Sequence, residues 1–172
     1  MIALQVIDIK NFMANLFVRE TFDDCLMQHA KVLTASELVM QGGRSRDWYD
    51  EDEWLQVTER FDDYWMTWGE IKKTVFDYIK GSRTPQSMQI DFCVSRMQSR
   101  KILEESGAGQ VFGDMPPVFH LQIRYKRGEL MVVTAVSFSE FTMDKTAEHI
   151  WDAACCQFLE RKNISFHLLN EA

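Results

Sequence analysis

Two sets of residues have types and spacings that could do chemistry. In the first, Asp91 sits in the alternating stretch SMQIDFCVS, while Gln122, Arg124 and Lys126 sit in FHLQIRYK. Metal-dependent nucleases pair a strand aspartate with a Glu/Gln-x-Lys arrangement, in which carboxylates hold Mg²⁺ and the lysine assists the attacking water. Here Arg124 takes the lysine's place, and an arginine does not give up its proton. Ordinary alternation on the wet side of a sheet accounts for the same residues. In the second set, His149, Asp152, Cys156 and Glu160 project within about 80° of one another on a helix. Imidazole, carboxylate and thiolate are all zinc ligands, but a site would need further ligands from another element. A solvent-facing helix side explains this set equally.

Two further stretches suit binding better than catalysis. Residues 42 to 54 read GGRSRDWYDEDEW, seven charged and three aromatic among thirteen. Its carboxylates suit a hard divalent cation, yet the stretch lacks the ligand register and glutamate of an EF-hand. Asp50 to Glu53 match the acidic first turn of a helix. Arg44, Arg46, Trp48 and Tyr49 form the mixture of arginine and aromatic side chains that anchors protein interfaces. The other stretch is basic. Residues 71–128 hold ten bases against five acids, whereas 1–70 carry a net −8 and 129–172 a net −4. Lys80, Arg83, Arg124 and Lys126 belong to this middle, which could meet phosphates if the fold gathers it. A charge run is also the ordinary composition of a solvated face.

The elements that position these residues follow from periodicity. Ile2, Leu4 and Val6 alternate as a first strand, and Asp8 is placed to cap a helix with apolar residues at 9, 12, 13, 16 and 17. CLMQHAKVL and SELVMQ read as strands. Thr67 and Glu70 have capping-box spacing ahead of a helix carrying Trp68, Ile71 and Val75. Ser95 caps a short helix, and GAGQVFGDMPP over 107–117 is a loop. VFHLQIRYKRGELMVVTAVSF is a hairpin turning at Arg127-Gly128, with Lys126 opposite Glu129. Asp144 is placed to cap a last helix, and ISFHLL adds an edge strand. Helices interleaved with hairpins predict an α+β fold, a mixed, mostly antiparallel sheet with helices packed on one face. The expected core includes Phe12, Leu16, Trp68, Val75, Ile90, Phe92, Ile123, Val132, Ile150, Trp151 and Phe158.

The bulk composition bounds the class. At 172 residues, 46% hydrophobic and 26% charged, the chain suits one folded domain over residues 1–172. The start, MIALQVIDIKNF, lacks the basic n-region and apolar h-region of a signal peptide. The expected location is therefore the cytoplasm, with no membrane association. Cys25, Cys93, Cys155 and Cys156 make no C-x-x-C pair, and no disulfide is expected. No phosphate-binding glycine motif, G-x-S-x-G or His-Glu-x-x-His occurs, and no cofactor is expected.

The stretches YIKGSRTPQSMQIDF and FHLQIRYKRGELMVVTAVSFSEFTMDKTAEHIWDAACCQFLERKNISF resemble a family of uncharacterised bacterial proteins of about this length. That resemblance implies a cytoplasmic domain without assigned activity, so it carries no functional residue to this chain. From the residues, the expected function is a non-catalytic binding or regulatory module that contacts a protein or polyanionic partner. The contacts would be Arg44, Arg46, Trp48, Tyr49, Lys80, Arg83, Arg124 and Lys126. Self-association is one form of such contact, and nucleic acid is another that no motif supports. The alternative is a metal-dependent hydrolase of phosphoesters built on Asp91 or the last helix.

Overall fold

The computed structural model describes residues 1–61, 64–81, 83–109, 112 and 115–169. Among them the chain forms β1 (Ala3–Val6), α1 (Ile9–Phe17), β2 (Leu26–Leu33), β3 (Glu37–Gln41), α2 (Glu51–Phe61), β4 (Met66–Thr67) and α3 (Trp68–Ile79). There follow β5 (Ser87–Cys93), α4 (Arg96–Glu105), β6 (Val118–Lys126), β7 (Glu129–Ser137), α5 (Thr146–Arg161) and β8 (Phe166–Leu169). The strands lie in one sheet in the order β3-β2-β5-β6-β7-β1-β8, with β4 paired to β2 off that path. The fold is α+β as expected, and each strand pairing among the described residues is antiparallel.

Local signals set many of the boundaries. The Asp8 carboxylate accepts from the Asn11 N–H at 2.9 Å, which fixes the start of α1. Glu70 accepts from both the N–H and the hydroxyl of Thr67, so the capping box opens α3. Arg127 and Gly128 both have positive φ, 52° and 83°, which a two-residue turn between twisted strands requires. Lys126 then faces Glu129. Asp144 falls just outside the last helix, whose cap is Lys145; it instead accepts from the N–H and hydroxyl of Thr146. The loop read over 107–117 is described only in part, since 110, 111, 113 and 114 lie outside the described residues.

Strand alternation divides the sheet into two faces. On β6, Phe119, Leu121, Ile123 and Tyr125 are buried, while His120, Gln122 and Arg124 point the other way. α1, α3, α4 and α5 supply the buried partners of the first face, chiefly Phe12, Leu16, Trp68, Val75, Leu103 and Trp151. Trp68 is fully buried, and its indole N–H donates to the Leu16 carbonyl at 2.7 Å, so its one polar atom is satisfied. Each such large side chain stabilises the fold by roughly 1.5–3 kcal/mol through apolar burial. Ile150 and Phe158, expected within the core, are only partly buried. They border a cavity rather than the packed centre.

Candidate functional site

The cavity lies between α4, α5 and the adjoining ends of β2, β5 and β6, and has a volume of about 930 Å³. Its origin is the arrangement of α5. Ala147, Trp151, Cys155 and Leu159 recur at helical spacing and are buried against the sheet. Ile150, Ala154 and Phe158 stand one step around the helix, and α4 does not close over them. Ile102 of α4 and Phe92 and Leu121 of the sheet complete an apolar wall. Cys25 and Cys155 also line it. Burial, together with the nearby acidic Asp24 for Cys25 and the adjacent Cys156 and Asp152 for Cys155, pushes both thiols up to about 12. They stay protonated at neutral pH and behave as small apolar groups rather than thiolate ligands. The rim is polar and of both signs: Asp24, Gln98, Glu105, His149, Gln157 and Arg161.

Sequence reasoning placed Ile150, Phe158 and Phe92 of this wall in the core but did not find the space between them.

The residues expected to contact a partner lie on several elements. Arg44 is buried at 7% exposure and holds Glu70 at 2.7 Å, with the Tyr49 hydroxyl at 3.2 Å. Burial alone would raise the Glu70 carboxyl, but the hydrogen bonds from Arg44 and Thr67 outweigh it and hold the group below its ordinary range. Arg44 therefore fastens the loop to the start of α3 and does not present its charge to solvent. Arg46 donates to the Tyr49 carbonyl and lies 5.3 Å over the Trp54 ring. Trp48 is the outward residue, 83% exposed. The acidic run does what a helix start needs: Asp50 accepts from the Glu53 N–H at 2.8 Å, and Glu53 reaches back to the Asp50 N–H.

Lys80 caps the end of α3, roughly 15 Å along the helix from Glu70 by the rise of ten residues, and pairs with Asp77 at 2.8 Å. Asp77 also takes Lys73, while Lys72 pairs with Asp23, so much of the basic middle is already neutralised. Arg83 is exposed in the connection to β5. Arg124 donates to Gln122 at 2.7 Å on the opposite face. Lys126 ends β6 beside Thr84 and Pro85, where a smaller cavity of about 510 Å³ opens. The segment that follows Arg83 therefore adjoins the end of β6 that carries Lys126.

The two metal sets do not converge. Asp91 accepts from Gln89 at 2.9 Å and faces His29 at 3.8 Å. Asp152 is taken up by the N-terminal ammonium at 3.0 Å and by the Thr134 hydroxyl. Among the described residues no three His, Cys, Asp or Glu side chains could hold a metal together.

One further group was missed from the sequence. On the opposite face the His120 ring bridges the Ser137 hydroxyl and the Gln28 side chain, at 2.8 and 3.0 Å. Gln28 sits in a register shift of β2 between Met27 and His29, which no local pattern announced.

Comparison with known proteins gives one match. Residues 15–167 match a family described as a family of unknown function, DUF5721. No curated protein matches the chain, and no solved structure does.

Proposed function

The chain belongs to this family of unknown function, and we propose that it is a binding module whose ligand site is the cavity between α4 and α5. The observation that carries the reading is the cavity itself: about 930 Å³, walled by apolar side chains and protonated thiols, with its polar groups at the rim. Small-molecule sites have this size and this division between apolar walls and a few placed polar groups. A folded domain of this length does not leave such a space unfilled without losing contact energy along its lining. The matching ligand is a small, mostly apolar molecule with one polar end. Its body would replace the missing contacts on Ile150, Ala154 and Phe158, and its polar end would meet the rim at His149 or Arg161.

Residues 1–172 would act as one domain. The cysteines carry no disulfide, which fits a reducing compartment such as the cytoplasm.

Native mass spectrometry on freshly purified, untagged chain tests this. A small organic mass that leaves on denaturation, retained by the wild type and absent from an Ala154→Trp variant, is the expected result. Equal adducts on both proteins would contradict the assignment to this cavity.

A protein partner at the charged loop is a second reading, favoured by the exposure of Trp48 together with Leu55 of α2 at 55%. Trp48→Ala tests it: the variant should keep its thermal stability and lose the partner, whereas a partner retained at full affinity would remove this reading.

A further inference from the structure

We propose that Ser137 is an activated nucleophile that accepts an acyl group from a carboxylic ester, with His120 as its general base and Gln28 as the residue that positions His120. This site lies on the face of the sheet opposite the helices and is independent of the cavity.

Three observations carry it. The first is the chain of hydrogen bonds. His120 Nε2 stands 2.8 Å from Ser137 Oγ, and His120 Nδ1 stands 3.0 Å from Gln28 Oε1. An amide oxygen only accepts, so Nδ1 carries the ring proton, and Nε2 offers its lone pair to the serine hydroxyl. Nucleophile, base and orienting group are thus linked in the order that activates a hydroxyl.

The second is how Gln28 comes to be there. β2 pairs with β5, and β5 separates it from β6, so Gln28 must reach across a strand. The bulge between Met27 and His29 breaks the alternation and aims the side chain over β5. Gly42 is built against that bulge: its N–H donates to the Gln28 carbonyl at 3.0 Å, and a Cβ at this position would stand 1.6 Å from the Met27 oxygen. Only glycine permits this approach. A purely random strand irregularity would not need a dedicated glycine fourteen residues away.

The third is the state of the ring. His120 is half-buried and Ser137 exposed, so the base is sheltered while the nucleophile meets solvent and substrate. Burial lowers the His120 pKa, opposed by the charge of Asp91, and keeps the ring neutral at physiological pH. The strand carrying His120 is also held from the other face, where the Trp151 indole N–H donates to the His120 carbonyl at 2.8 Å.

The chemistry balances without a cofactor. Ser137 Oγ attacks the ester carbonyl as its proton passes to His120 Nε2. A bond from Oγ to the acyl carbon forms, the ester C–O bond breaks, and the imidazolium returns the proton to the leaving alcohol. Water, deprotonated by the same nitrogen, then releases the carboxylic acid and restores the serine. Gln28 is neutral and so orients the ring without compensating its charge.

The experiment is covalent labelling of the full chain with diisopropyl fluorophosphate, followed by peptide mapping. The expected result is one phosphoryl group on Ser137, none in Ser137→Ala, and labelling slowed by at least about a hundredfold in His120→Gln, the usual weight of a positioned base. Gln28→Leu should slow labelling while Gln28→Glu, which still accepts from Nδ1, restores it. A merely structural Gln28 would not produce that restoration. Ser137 is an exposed end-of-strand residue, so its substitution leaves the core intact, and loss of labelling there reads the site even where His120→Gln lowers stability. Absence of labelling in the wild type overturns the proposal. So does labelling at Ser137 that His120→Gln leaves unchanged.

Discussion

The two faces of one sheet do opposite work, and adjacent residues of β6 show how. Leu121 lines the cavity under α5, while His120, one position away, joins Ser137 and Gln28 on the other side. On the helix-covered face even the thiols are held protonated, and polar atoms retreat to the rim. On the opposite face polar side chains pair with one another, Gln89 with Asp91, Arg124 with Gln122 and His120 with its two partners, although Asp91 Oδ1 is buried without a hydrogen bond among the described residues. A period of two along a strand is enough to separate an apolar cavity from a polar face. Trp151 touches both, stacked on Phe119 at 5.1 Å and bonded to the His120 carbonyl.

The largest effect should come from breaking the wet face at its foundation. Gly42→Ala forces a side chain into the Met27 carbonyl, and the bulge must shift or the strand must move. We expect a loss of about 3 kcal/mol or more in urea unfolding, with labelling of Ser137 lost in the folded remainder. Retained stability would mean that the bulge does not depend on Gly42.

Arg44→Ala comes next. It leaves Glu70 without its charge partner, although the carboxylate is one-third exposed and water screens it in part. A cost of about 2 kcal/mol is expected, below the range for a fully enclosed pair, against less than about 0.5 kcal/mol for Arg46→Ala on the surface. The pH dependence has a definite sign. The Glu70 carboxyl is held below its ordinary range in the folded chain, so its contribution is complete at neutral pH and is lost as the pH falls through that depressed value. The stability gap between wild type and Arg44→Ala should therefore narrow below about pH 4. A gap independent of pH would show that the pair contributes by packing alone.

A smaller change separates the faces at their shared residue. Trp151→Phe keeps the ring stack and removes the bond to the His120 carbonyl, for a cost of about 1 kcal/mol by thermal unfolding. If the faces are independent, ligand affinity in the cavity should change more than the labelling rate at Ser137. The reverse ordering would show that the indole matters chiefly through β6.

The fold was legible in the sequence wherever the determinant was local. Asp8, the Thr67–Glu70 box and the Arg127-Gly128 turn each act within four residues, and each stands where periodicity put it. Sites depending on distant partners were not legible. Arg44 reads as a surface arginine until Glu70, twenty-six residues on, arrives beside it. The Gln28 bulge needs Gly42 and β5 together. The cavity is a distance between two helices, and the apolar residues of α5 look the same whether a neighbour fills the space or stands back from it.

The most direct test of the binding reading is a titration of wild type and Ala154→Trp with dodecanoate, followed by NMR of the isoleucine methyl groups. Ala154 lines the cavity and is only half-buried, so the indole enters existing space and should alter stability by less than about 1 kcal/mol. The account predicts saturable one-to-one shifts at Ile102 and Ile150 in the wild type and none in the variant. Shifts of equal size and affinity in both proteins, or no saturable shift in the wild type, would contradict it.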